Sequence, residues 1–156
     1  MLKVRIATEN DRLGIFKLAV AMHQETDFGN FSFDPEKAIN SLGLWLHGGL
    51  MLVAADVTEE GEEVVGMMAA SKKDPWFSLD VLVSEDFFFV RKDKRGSRAA
   101  FLLMKGFIDW ANEVGAHHLR AGVATGTGPA AERLYEHFGM HYVGGNFSSH
   151  ISRSPT

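Results

Sequence analysis

Residues 2–7, LKVRIA, alternate apolar and polar positions, the period of a half-buried strand. Thr8 with Asp11 marks a helix start, and Leu13, Phe16 and Val20 follow at helical spacing, which predicts a helix to about Gln24. Residues 25–33, ETDFGNFSF, hold too many turn formers to continue it and read as a loop. Asp34-Pro35-Glu36 opens a second helix with a capping side chain, a proline in the first turn and an acid at the positive end; Gly48-Gly49 stops it. The apolar runs 50–57 and 63–71 flank TEEGE and predict an antiparallel hairpin, and 79–90 a further long strand. Between Ser97 and Val114, Ala100, Leu103, Met104, Phe107, Ala111 and Val114 form one apolar stripe that Gly115 ends.

A strand over 117–124 then completes a β-α-β unit, whose two strands should pair in parallel. A short helix is expected over 128–139, with Pro129 in its first turn and Gly139 closing it, and a last strand over 141–152, interrupted by Gly144-Gly145. The order predicts a single α/β domain over 1–156. Its one mixed sheet is mostly antiparallel with a central parallel β-α-β unit, and helices cover both faces.

At 156 residues the chain can bury roughly 70% of its unfolded surface as one domain. A net charge of -4 argues against general binding to nucleic acid or anionic membranes. The absence of cysteine excludes disulfides, thiolate nucleophiles and cysteine-ligated zinc, and suits a reducing compartment. The first residues lack the apolar core of a signal peptide, and no run is long enough to span a bilayer, so a soluble cytoplasmic protein is expected.

Metal chemistry finds no support: His117 and His118 are neighbours on a strand and point to opposite faces, and Gly139 separates His137 from His141. Residues 126–131 fit G-x-G-x-x-A after a strand, but Asn146 stands where a dinucleotide fold needs an acid. The stretch VRKDKRGSRAA, residues 90–100, carries more. Five of the 16 cations fall between Arg91 and Arg98, at a helix start whose free amides and dipole are already positive. Gly96, Ser97, Ala99 and Ala100 are small enough to admit a bulky anion to the backbone, and a diphosphate group fits there.

These residues resemble the GNAT superfamily of acyl-CoA-dependent N-acetyltransferases. The segment VRKDKRGSRAAFLL is similar to the family's pyrophosphate segment: Val90, Arg95, Gly96 and Ala100 match, Lys92 replaces a proline and Arg98 the first motif glycine. GPAAERLYEHFGMHYVG is similar to a second family segment through Ala131, Leu134, Tyr135 and Gly139, with Gly128 in place of an asparagine and Met140 of a phenylalanine. The likeness covers nearly the whole chain and looks closest to the small members carried by phages and prophages, which would place the protein in a host cytoplasm.

The resemblance implies acetyl-CoA as co-substrate, without a metal, and an acceptor amine on a small molecule or protein. It implies a cofactor segment of Phe89, Val90, Arg95, Gly96, Ser97, Arg98, Ala99, Ala100, Gly128 and Ala131, and an amide near Phe89 or Val90 that polarises the thioester carbonyl. Tyr135 would protonate the departing thiolate. Glu85 is named as general base over Asp86, on the opposite face of the strand, and Glu25, in the early loop. Neither nucleic acid nor membrane is expected as partner, and a homodimer is left open. The alternative reading is a GNAT-shaped CoA-binding or phage structural protein without catalysis, and a nucleic-acid module ranks last because 91–98 has no interleaved aromatics.

Overall fold

The structure, a computed structural model, describes residues 1–122 and 128–151. Five strands form one sheet in the order β1-β2-β3-β4-β5: Leu2–Ile6, Leu50–Thr58, Gly61–Lys73, Leu82–Val90 and His118–Arg120. The first three pairings are antiparallel and β4–β5 is parallel. On one face lie α1 (Arg12–Glu25), α2 (Pro35–Ser41) and α3 (Gly43–Gly48); on the other lie α4 (Ala99–Glu113) and α5 (Gly128–His137). The mixed sheet with helices on both faces is the architecture the residue pattern predicts.

Each face has its own apolar layer. Leu103, Met104 and Phe107 of α4 pack at zero exposure on Leu52, Met68 and Val83, while Ile15 and Leu18 of α1 pack on Met51, Val53 and Met67. Three expectations need correction. The second helix is two, because Leu42 turns into the core and Gly43, a poor helix former, sits at the joint. The strand expected over 117–124 is paired only at His118–Arg120, and residues 123 and 124 lie outside the described residues.

The last strand does not form over the described residues 141–151. Tyr142, Val143, Phe147 and Ile151 are all exposed there, so no burial holds a ladder, and Gly144 takes a positive φ of 152° in mid-segment. No helix among the described residues is long and apolar enough to cross a membrane.

Asp11, a buried carboxylate, fastens α1 to the sheet. It accepts Arg5 Nη1 at 2.7 Å, Arg5 Nη2 at 2.9 Å and the Thr8 amide at 2.8 Å. Its carboxyl is held below the usual range, chiefly by the Arg5 guanidinium. A depressed folded pKa stabilises above the unfolded value, about 3.9, and that stability is lost as pH falls through the folded one. Asp11→Asn should therefore cost about 1.5–3 kcal/mol at pH 7, and the two proteins should converge in urea denaturation as the pH drops below 3.9. A gap unchanged by acid would show that the charge is not what matters.

Candidate active site

β4 holds β5 through only three residue pairs, Leu82–His118, Val83–Leu119 and Ser84–Arg120. Beyond Ser84 the strands part. A cleft of about 1590 Å3 opens there, bounded by β4, β5, the starts of α4 and α5, and the loops after α1 and β3.

A bulge sits at this point. Ala70 pairs with Glu85 and Ala69 with Phe87, so Asp86 is an extra residue in β4. Asp86 and Phe87 consequently share the α1–α3 face, where both contact Trp45: its Nε1 donates to Asp86 at 2.8 Å, and its ring meets Phe87 edge-on at 5.0 Å. Ser71 Oγ and Lys73 Nζ also donate to Asp86, at 2.6 and 2.8 Å. Glu85 is thereby turned to the opposite face, toward α5.

There Glu85 and Tyr135 meet on one residue. The Gly122 amide donates to Glu85 Oε2 at 2.9 Å, and the Tyr135 hydroxyl donates to the Gly122 carbonyl at 2.8 Å. Burial, with a smaller contribution from the Asp86 charge, pushes the Glu85 carboxyl up to about 7 against the Gly122 amide. Tyr135 is 7% exposed, and burial followed by the charge of Glu85 raises its phenol above the ordinary value. The two sequence candidates are thus brought together, through a residue that pattern reasoning passed over.

The strand edge supplies a further donor. The Arg91 amide bonds the Val65 carbonyl at 2.8 Å, so antiparallel alternation turns the amide of Phe89 toward β3 and those of Phe88 and Val90 into the cleft. Arg95 Nε reaches the Val90 carbonyl from that side at 3.0 Å. Of the two expected donors, Val90 has the right orientation, and Phe88 was missed.

The basic segment is more self-contained than its sequence suggests. Arg91 pairs with Asp93 and Glu63, Lys94 with Asp56, and Arg95 with Glu25 at 2.6 Å while lying over the Phe89 ring. Among the described residues only Lys92 and Arg98 of the five cations lack a carboxylate partner, and the Arg98 guanidinium rests over Phe101, 5.5 Å from its centroid. Glu25, considered as a base, is engaged by Arg95 instead.

The backbone at the α4 start remains open. Amides of Gly96, Arg98, Ala100 and Phe101 have no partner among the described residues, whereas that of Ala99 is taken by Ser97 Oγ at 3.2 Å. Gly96 takes a left-handed φ of 87°, with open space where a Cβ would stand. The Ala99 side chain is buried in the core, while Ala100 and Ala131 line the cleft and Gly128 begins α5. The G-x-G-x-x-A match includes residues 126 and 127, outside the described residues.

The crystal structure of a probable acetyltransferase superposes with a TM-score of 0.75 at 18% identity, covering 97% of this chain and 99% of that one. A ribosomal-protein-alanine N-acetyltransferase from Brucella melitensis biovar Abortus 2308 gives 0.67 at 18% identity, over 97% and 98% of the two chains. AAC(6')-Iy, in complex with the bisubstrate analog CoA-S-monomethyl-acetylneamine, gives 0.72 at 13% identity, over 99% of each. No curated protein matches in sequence. These likenesses are of fold, but the sequence model of the Acetyltransferase (GNAT) family matches residues 17–140, most of the chain, and on that match the chain belongs to the GNAT acetyltransferase family.

Proposed function

We propose that the protein is an acetyl-CoA-dependent N-acetyltransferase that passes an acetyl group directly to a primary amine on a small molecule or protein. The observation that carries this reading is the convergence of Glu85 and Tyr135 on Gly122 at the point where β4 and β5 part. The family uses acetyl-CoA, and the residues present fit it. Four amides and two cations, Lys92 and Arg98, that have no partner among the described residues surround the α4 start together with small side chains, where a diphosphate is best held.

Acetyl-CoA supplies the acetyl group as a thioester. Glu85, titrating near neutrality, takes the proton that the acceptor nitrogen loses as its bond to the acetyl carbon forms. The Val90 amide donates to the acetyl oxygen as charge gathers on it. Tyr135, kept protonated by its surroundings, gives its proton to sulfur as the carbon–sulfur bond breaks. Both groups then exchange with solvent.

The second reading is a GNAT-shaped protein that binds CoA without catalysis or serves as a phage structural component. The ion pairs of Arg91, Lys94 and Arg95 favour it, since they leave less charge for an anion. The same pairs weigh against nucleic acid. A cytoplasmic setting and a phage or prophage origin belong to the reading as expectations, supported by the cysteine-free composition and by the sequence likeness.

Acetyl-CoA at 100 times its dissociation constant should stabilise the fold by about 2.7 kcal/mol, read as a rise in melting temperature, while an oligonucleotide of equal phosphate content should not. Arg98→Ala should weaken that binding about tenfold or more, because it removes a charge-assisted contact. Tighter binding by Arg98→Gly would instead mark Arg98 as an obstruction. No shift at millimolar acetyl-CoA would end the enzyme reading.

Turnover, measured once an amine acceptor is found, should rise with pH through about 7 as Glu85 ionises, since a carboxyl with a raised pKa is protonated below it and active above it. Glu85→Gln should abolish that limb. Tyr135→Phe should cut turnover by about 10²–10⁴-fold and lower stability by about 1 kcal/mol through loss of its bond to the Gly122 carbonyl. A Phe variant as fast as wild type, with chemistry rate-limiting, would make Tyr135 a packing residue.

A further inference from the structure

One carboxylate beside the cleft takes no part in the two proton transfers. Asp86 is the extra residue of the β4 bulge: Ala70 pairs with Glu85 and Ala69 with Phe87, which leaves Asp86 without a rung in the ladder. Its side chain is only 17% exposed, so its charge has to be met by protein donors. Trp45 Nε1 and Ser71 Oγ both reach Oδ2, at 2.8 and 2.6 Å, and Lys73 Nζ reaches Oδ1 at 2.8 Å. Burial alone would raise this carboxyl, but the three donors, led by Lys73, hold it below the ordinary value and keep it ionised at neutral pH. Both oxygens are therefore engaged within the fold.

A buried charge carries a desolvation penalty that good hydrogen bonds only roughly offset, so such a group adds geometry more than stability. The geometry it adds is that of its neighbour. Glu85 shares a peptide bond with Asp86 and points to the opposite face, where its Oε2 accepts the Gly122 amide at 2.9 Å. Consecutive Cα atoms lie about 3.8 Å apart, so a backbone rotation at Asp86 carries directly to the Glu85 side chain. Trp45 also meets the Phe87 ring edge-on at 5.0 Å, so α3 grips the bulge residue and the one after it.

The charged and titratable groups around Glu85 divide by face. Tyr135 from α5 and Lys72 of β3, paired with Val83, share its own face. Asp86, Lys73 and Arg120 of β5, paired with Ser84, stand on the other. The direct bond to Glu85 comes from the Gly122 amide, which favours the ionised carboxylate.

We propose that Asp86 is a positioning residue: tied to Trp45, Ser71 and Lys73, it fixes the β4 bulge so that Glu85 is aimed at the Gly122 amide and the acceptor. Trp45 thereby acts on the base from the far side of the sheet. This rests on the acetyltransferase reading for the role of Glu85 as base, whereas the aim of Glu85 belongs to the fold and is measurable without substrates.

The test uses the full chain and the variants Asp86→Asn and Trp45→Phe, with Glu85→Gln as the reference. Asn keeps the size of the side chain and removes its charge; Phe keeps a ring beside Phe87 and removes the donor. Melting curves with and without acetyl-CoA check that each variant folds and binds it. In wild type the NMR signal of the Gly122 amide should move with pH as Glu85 ionises, and Glu85→Gln should lose that movement. Asp86→Asn and Trp45→Phe should lose most of it, because the carboxylate no longer rests on the amide. With an amine acceptor, kcat on the plateau above the Glu85 limb should fall about tenfold or more in Asp86→Asn, with acceptor KM unchanged. In Trp45→Phe, where the Asp86 charge remains, the limb itself should move to higher pH, since loss of the amide bond disfavours the ionised form.

A Gly122 amide that titrates as in wild type in both variants would overturn the proposal. So would a plateau kcat that stays at the wild-type value although the amide has stopped responding. A rise in acceptor KM alone would make Asp86 an acceptor contact instead. If Asp86→Asn does not fold, Ser71→Ala takes its place beside Trp45→Phe under the same criteria. Failure of acetyl-CoA to shift the wild-type melting curve removes the acetyltransferase reading, and the catalytic meaning of the aim with it, while the amide titration still shows whether Asp86 sets that aim.

Discussion

The three-pair hold of β5 on β4 is the constraint on which the rest of the site depends. Had the pairing run the length of β4, the amides of Phe88 and Val90 would be spent on a ladder and the cleft would be closed. Because it stops at Ser84, those amides face open space, and a side-chain bridge replaces the missing backbone bonds. Glu85 accepts the Gly122 amide, and Tyr135 ties the Gly122 carbonyl to α5. The bulge at Asp86 is the second half of this constraint. Without the extra residue, Glu85 would share a face with Phe87 and Phe89 and point toward α1, away from Tyr135. The bulge is held by three donors to Asp86, from Trp45, Ser71 and Lys73, so groups on the α1–α3 face of the sheet set the aim of the carboxylate on the other.

Charge is organised on the same principle of local closure. An acidic chain concentrates cations before α4, and the fold returns carboxylates to them from distant elements: Asp56 at the end of β2, Glu63 on β3 and Glu25 at the end of α1. These contacts are exposed or half-exposed and individually weak. Their joint effect is to stitch the segment before α4 onto both faces of the sheet, which leaves the α4 amides, with Lys92 and Arg98, as what an anion would meet. The helix-end amides are fixed by backbone geometry and need no reorganisation.

Much of this was legible in the residues. The α4 stripe could be read because Leu103, Met104, Phe107 and Ala111 recur at helical spacing and are buried; the β2–β3 hairpin could be read because its turn is polar and its arms are apolar. The bulge could not, since FFF at 87–89 is apolar on both faces and carries no parity signal. Gly122 was missed because its contribution is a backbone amide and carbonyl, to which side-chain patterns are blind. The ion pairs bridge residues such as Glu25 and Arg95, far apart in sequence, so a basic run reads as more cationic than the folded segment is. The strand expected over 141–152 failed for the opposite reason: apolar residues such as Tyr142, Val143 and Phe147 can suggest a strand, but only a neighbouring edge and buried surface can form one.

The shared residue, Gly122, also links the two proton transfers of the proposed reaction. An ionised Glu85 pulls on the Gly122 amide hydrogen while the Tyr135 hydroxyl donates to the carbonyl of the same residue, and its charge helps to raise the phenol. A proton taken from the acceptor nitrogen removes that charge. The amide hydrogen bond then weakens, and the phenol becomes the stronger acid. Uptake of a proton by the base thereby improves the acid at the stage where sulfur requires a proton. Burial alone would hold both groups neutral and passive, because desolvation raises a carboxyl and a phenol alike. It is the proximity of the two, set by where β5 leaves β4, that gives the transfers an order.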